Sequence, residues 1–277
     1  MENFYLTLPS NTRDFDSNTT AEFRVRLPNP LELDGDWEVG LVEIQYPFSW
    51  NNLKGGHSID TQDNWILVTF TEKFPVFKNG MIAVKIPPGY YGNIESMINA
   101  IEKALAAWTI PGDKSTENPS IRSEISLTKL VQLSYDTTYQ KTKLKLDTTA
   151  IKGVVLGSTL QYMLGFGGEW SHSFNKSLVY STYPPDLTAG FNTLFVYCNI
   201  IQPQIVGNTL APLLRTVPIS GSFGSSVSSV FLSPHYIPLR NKSFETVEIS
   251  IKDDQNHPIE FNFGKVILKL HFKKKEL

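Results

Sequence analysis

Five histidines, one cysteine and a few close pairs of acids are the residues of this chain with the most chemistry to offer. His57, His172, His235, His257 and His271 stand singly, without the HxH or HxxxH spacing that would bring two imidazoles to one metal ion. Each therefore reads as a surface or hydrogen-bonded histidine, and no metal or other cofactor is expected. Cys198 has no second cysteine to pair with and lies in an apolar strand pattern, so a buried, inert thiol is expected. The acid pairs Asp34/Asp36 and Asp253/Asp254 fall in turn sequences, where Asp serves the backbone. Gly165-Phe-Gly-Gly168 follows a helix-like segment, and a phosphate cradle needs a strand before it. With no P-loop and no GxSxG elbow, no catalytic constellation emerges and a non-enzymatic protein is expected.

What remains is surface. Tyr90-Tyr91 sits at a strand-to-helix corner between Gly89 and Gly92. The rings either pack under the helix or anchor a subunit contact, where tyrosine and tryptophan are enriched. Trp50, Trp65 and Trp170 admit the same two readings, with the core favoured for Trp65 because it begins an apolar strand. The segment Gln202–Arg215 is apolar yet full of loop formers, which suits a strip lying against a neighbouring subunit. Its candidate contact residues are Gln204, Val206, Leu210, Pro212, Leu214 and Arg215, with Tyr90 and Tyr91 added from the corner. Arg215, flanked by apolar residues, needs a carboxylate or a bidentate carbonyl partner.

The elements that must hold this surface are strands. Phe23, Val25 and Leu27 alternate with Glu22, Arg24 and Arg26, and Trp37 to Tyr46 reads as a long strand. Period-two patterning puts one face in a core and the other in solvent. Further strands are expected at 3–8, 64–71 and 81–86, then at 192–201, 212–217, 230–238, 244–251 and 265–272. The run at 192–201 is apolar enough to imply burial on both faces. Residues 219–229 are Gly/Ser-rich and read as a loop tip. Between them the texture changes. Asn93 can cap a helix whose apolar residues recur from Ile94 to Trp108. A hairpin turns at Asp136-Thr137-Thr138, and Ser158–Phe166 reads as a short helix closed by Gly165.

With the short first strand set aside, four candidates precede the helical region and four or five follow it. That succession, with long connections suited to Greek-key returns, predicts a mainly β fold: a single jelly-roll β-sandwich of eight antiparallel strands with an inserted α+β subdomain. The expected division is 1–86 and 186–277 for the jelly roll and 87–185 for the insertion. At 277 residues the chain can bury a core without staples. A net charge of −2 argues against specific nucleic-acid binding through overall electrostatics, and the lysines at 273–275 read as a solvated end. No apolar run is long enough for a membrane span, no secretory leader is visible, and a lone cysteine suits a reducing compartment.

Several stretches together carry a resemblance. They are Phe4-Tyr-Leu-Thr-Leu-Pro-Ser-Asn11, Trp37 to Pro47, Pro87-Pro-Gly-Tyr-Tyr91, Leu164-Gly-Phe166, Val206 to Arg215 and Phe261 to Phe272. In this order, over most of the chain, the sequence resembles the penton (minor capsid) proteins of Polinton/Maverick elements and adintoviruses. The resemblance implies a single jelly roll forming homopentamers at the five-fold vertices of an icosahedral capsid. Its partners would be itself and a double-jelly-roll major capsid protein, with a fibre or a host receptor at the vertex. The place implied is the virion, after synthesis in the host cytoplasm and assembly there or in the nucleus. The family supplies no catalytic residues to carry over. Two other readings stay open: a receptor- or carbohydrate-binding jelly roll using Tyr90, Tyr91, Trp50 and Asn51, and a cupin-like metalloenzyme, for which the clustered histidines are missing.

Overall fold

The computed structural model describes residues 2–55, 64–72, 80–111, 124–167 and 173–275. It divides into two compact units, Met1–Trp50 with Phe191–Leu277, and Asn51–Gly190.

Alternation writes the strands of the first unit. They begin with β1 (Asn3–Pro9), β2 (Glu22–Glu32) and β3 (Trp37–Pro47). In β2, Phe23, Val25 and Leu27 are buried while Glu22, Arg24 and Arg26 are exposed. In β3 the buried set changes parity, from Trp37, Val39 and Leu41 to Ile44 and Tyr46. The cause is a bulge: the register against the last strand slips between Lys269 and Leu270, leaving Val42 as the extra residue.

The second unit follows, with β4 (Trp65–Phe70), β5 (Met81–Lys85), α1 (Ile94–Ala106), β6 (Thr109–Pro111) and β7 (Glu124–Ser126). After these come β8 (Val131–Asp136), β9 (Lys141–Leu146), β10 (Ile151–Leu156), α2 (Ser158–Met163) and β11 (Leu178–Tyr180). The chain then returns to the first unit with β12 (Thr193–Cys198), β13 (Gln204–Val206), β14 (Thr209–Ala211), β15 (Leu213–Pro218) and β16 (Ser226–Val230). It ends with β17 (Ile237–Pro238), β18 (Ser243–Lys252) and β19 (Ile267–Lys274).

Two four-strand orders define the first unit, β1-β19-β3-β16 with β17 also on β3, and β15-β12-β18-β2, all antiparallel. Of the eight principal strands, β12 and β15 are the one sequence-adjacent pair that lie side by side; every other connection crosses from sheet to sheet. That is the double Greek key of a jelly roll. Leu41, Ile44 and Tyr46 from one sheet, and Val196, Val247 and Ile249 from the other, fill the space between. Cys198 lies there too, and burial pushes its thiol up to about 12.

In the second unit α1 packs Met97, Ile101 and Leu105 into a core shared with β4, β5, β8 and β10. Asn93 caps the helix, its side chain accepting from the Ser96 N–H, as its sequence position suggests. The strands form sheets of order β10-β4-β5 and β11-β9-β8, and β6 pairs β7. At the end of α2, Gly165 takes φ +78°, and a Cβ there would overlap the Tyr183 carbonyl oxygen, so glycine is required by conformation and by space.

Several expectations change. The strand at 64–71 pairs with β10 on one side and with the strand at 81–86 on the other, so both belong to the inserted unit, which runs from Asn51 to Gly190 instead of from 87 to 185. The first strand, set aside as short, is a full member paired along seven residues with β19. The jelly roll therefore takes three strands before the insertion and five after it. Burial in β12 alternates, with Leu194, Val196 and Cys198 inside, because one face of its sheet is outward. Part of the Gly/Ser tip is strand β16, whose serines lie on a sheet edge.

Candidate interaction surfaces

The segment between β12 and β15 folds into the hairpin β13–β14. Gly207, in the first loop position, takes φ +60°, as a two-residue hairpin loop requires. Strand pairing sets Ile205 directly against Leu210, and both are outward: Ile205 is 82% exposed and Leu210 70%. The side chain of Gln204 ties the hairpin to the sandwich by donating to the Leu213 carbonyl at 2.8 Å. Its Oε1 lies 3.4 Å from Nε2 of the exposed His235.

Next to it stands Arg215. Its guanidinium carbon lies 3.8 Å over the Phe231 ring, and Nη1 donates to the Ser233 carbonyl at 3.4 Å. The expected carboxylate is replaced by an aromatic face and one carbonyl, an arrangement open to guanidinium because it is planar and weakly hydrated. Burial lowers the Arg215 pKa from its ordinary value. This contact brings residues 231–233, which follow β16, alongside β15. In that stretch Leu232 is 95% exposed, and Val230 at the end of β16 is also outward. Among the described residues β15 pairs only with β12 and β16 only with β3, so each ends its sheet. One side of the jelly roll thus combines two open strand edges with Ile205, Leu210, Val230 and Leu232. Exposed apolar groups beside open strand edges mark candidate contact sites.

The other candidates fall as follows. Val206, within the hairpin, and Pro212, just after it, are half-buried. Leu214 is 1% exposed, in the sandwich core, and is corrected from contact residue to core residue: the register against β12 slips at Leu214, and this bulge lets Leu214 and Val217, of opposite parity, both turn inward. Ile205, absent from the candidates, is more exposed than the Leu210 it faces; its place directly opposite Leu210 is the available signal.

Tyr90 and Tyr91 belong to the other unit. Tyr91 packs against that unit's core, its hydroxyl donating to the Pro87 carbonyl at 2.6 Å and its N–H donating to Asn52 Oδ1 at 2.8 Å. Burial raises its pKa. Tyr90 is half-buried. Trp50 is buried against Phe48, Phe191 and Phe261, which removes it from any sugar-binding face. Trp65 is half-buried with Lys85 over its ring. Trp170, His57 and His172 lie outside the described residues.

Among the described residues no three His, Cys, Asp or Glu side chains group as a metal site, and no helix is long and apolar enough to cross a membrane. Asp253 serves its own turn, Oδ1 accepting from the Gln255 and His257 N–H groups. A hollow of about 440 Å³ in the second unit is lined by Gln161, Tyr162, Tyr183 and Asp186 among others; Oδ1 of Asp186 is held by the Thr188 N–H and hydroxyl.

No protein-family model matches the chain, and no curated protein matches it by sequence. A solved structure does match: the crystal structure of the selenomethionine-labelled mavirus penton protein, with a TM-score of 0.50 and 10% identity. The likeness covers 99% of this chain and 100% of that one. The fold is penton-like. At this identity the likeness speaks to fold, and it spans the inserted unit as well as the sandwich.

Proposed function

We propose that this chain is a structural virion protein, a penton (minor capsid) protein that forms homopentamers at the five-fold vertices of an icosahedral capsid. The observation that carries the reading is the end-to-end likeness to a penton protein, since jelly rolls are common and a jelly roll with a whole second unit inserted before its fourth strand is not. The relatives that fit are the pentons of Polinton/Maverick elements and adintoviruses, set beside a double-jelly-roll major capsid protein. The work of such a protein is contact, and no reaction is assigned to it.

A ring of five closes through head-to-tail interfaces, in which one patch meets a different patch on the next copy. A stable interface buries on the order of 1,600 Å². The side bearing Ile205, Leu210, Val230 and Leu232 is the natural first patch, because covering it removes apolar surface from water and caps the open edges of β15 and β16. Native mass spectrometry of the purified full chain, with negative-stain images, tests the reading. Five copies in a closed ring are expected; a monomer persisting at high concentration, or a two-fold dimer, would overturn it.

A further inference from the structure

In the jelly roll, four basic strand residues face carboxylates on the neighbouring strand, while Arg215 lies over an aromatic ring instead. Lys269 lies 2.6 Å from Glu43, Lys273 lies 3.7 Å from Glu38, Arg26 lies 3.4 Å from Glu245, and Arg24 lies 4.0 Å from Glu248. The sheet β11-β9-β8 of the second unit breaks this pattern. Thr142, Leu144 and Leu146 of β9 point into the core, so Lys141, Lys143 and Lys145 share the outward face, spaced about 6–7 Å apart by strand geometry. Their cross-strand neighbours are Asp136, Ser134 and Gln132 on β8, and Tyr180 and Leu178 on β11. Among the described residues none of the three lysines forms an ion pair. Asp136, opposite Lys141, serves the β8–β9 turn, its Oδ1 accepting the Thr138 and Tyr139 N–H groups. Tyr139 and Tyr180 close one end, edge to face at 5.9 Å, both rings exposed.

In a chain of net charge −2, this leaves a local row of positive charge beside exposed aromatic rings. From it we infer that the outward face of β8–β9–β11 binds a sulfated polysaccharide. Lysine ammonium groups are point charges that suit dispersed sulfates, whereas planar phosphate recognition favours arginine, which this face lacks. The two tyrosines stand at 74° to each other, so they do not form the parallel platform on which successive nucleic-acid bases stack. A single ring face against a pyranose, with Ser134 and Gln132 for sugar hydroxyls, fits the geometry. The inference does not depend on the capsid reading.

Full-length protein titrated against heparin by surface plasmon resonance tests it. The variants are Lys141→Ser/Lys143→Ser/Lys145→Ser, Tyr180→Ala, and Lys274→Ser/Lys275→Ser as a control for the basic end, each first shown to melt at the wild-type temperature. The triple variant is expected to bind at least about tenfold more weakly and the control within about twofold, and raising salt from 50 to 200 mM should weaken wild-type binding roughly tenfold by counterion release. Tyr180→Ala should weaken it about threefold. Equal binding by wild type and triple variant would overturn the inference. So would unchanged binding to the desulfated polysaccharide, or tighter binding to a single-stranded oligonucleotide than to heparin.

Discussion

The double variant Ile205→Ser/Leu210→Ser separates assembly from folding. Burying a Leu or Ile side chain fully contributes about 1.5–3 kcal/mol relative to leaving it in water. In the free subunit Ile205 is 82% exposed and Leu210 70%, so nearly all of that gain is still available to a partner. Covering the pair is worth roughly 2–5 kcal/mol per interface, and the variant's interface constant should fall between about 30-fold and a few thousandfold. The subunit itself should not notice, because exposed substitutions usually change stability by less than about 0.5 kcal/mol. Leu214→Ala supplies the opposite result: a core leucine cut to alanine should cost about 2–5 kcal/mol of folding stability. Mass photometry across a dilution series reads the first effect and urea unfolding the second. If Ile205→Ser/Leu210→Ser rings dissociate at the wild-type concentration, the hairpin is not the contact and the assignment of this side of the jelly roll fails.

Gly165→Ala should lower the urea midpoint by roughly 2–4 kcal/mol equivalent, because φ +78° disfavours a side chain and the new Cβ overlaps the Tyr183 carbonyl; a neutral result would mean the α2 terminus moves freely. Asp147 is held below the ordinary carboxylate range by the Thr149 hydroxyl, then by the Thr149 N–H, with the Ala150 N–H adding to them. Its ionised form is thus favoured in the folded state, so its contribution is present above the unfolded value near pH 4 and is lost as pH falls through the depressed one. Asp147→Ala should therefore lower stability at pH 7 and narrow the gap between pH 7 and pH 3, as chemical denaturation at both would show. Replacing residues 51–190 by a short Gly/Ser linker should leave a jelly roll that unfolds cooperatively, since Trp50 and Phe191, at the two ends of the cut, have ring centroids 5.5 Å apart; a molten, dye-binding product would refute the autonomy of that unit.

What could be read from the sequence was set by period. Phe23, Val25 and Leu27 declare a half-buried strand, and Asn93 with the apolar residues after it declares a capped helix, because both signals are local. Partners are not local. Trp65–Phe70 and Met81–Lys85 read correctly as strands and were assigned to the wrong unit, because alternation names a face and says nothing about which strand lies beside it. The partner of Trp65–Phe70, Ile151–Leu156, carries no strand expectation. Residues 226–229 read as loop because an edge strand with one solvated side can be built of serine. In the candidate contact strip the error concerned which way each side chain faces. Leu214 and Leu210 are the same residue type in one apolar run, yet a change of element between them sends one into the core and the other into water.

The two proposed surfaces lie on different units, and the chain's construction lets them be varied separately. The jelly-roll residues that flank the insertion, Trp50 and Phe191, meet in one aromatic cluster, with ring centroids 5.5 Å apart and Phe48 4.4 Å from Trp50. The sandwich therefore holds the ends of a loop whose closure cost grows only slowly with the number of residues inserted. The inserted residues offset that cost with a core of their own. The Ile205→Ser/Leu210→Ser subunit should then keep its lysine row intact and bind a short sulfated oligosaccharide as the wild type does. On a long polysaccharide it should bind more weakly if the proposed pentamer forms, because such a ring would offer five copies of this face to one chain and the separated subunit offers one. Equal loss on short and long chains would mean that the hairpin and the lysine row are coupled through the fold, and the separation of roles argued from the two cores would fall.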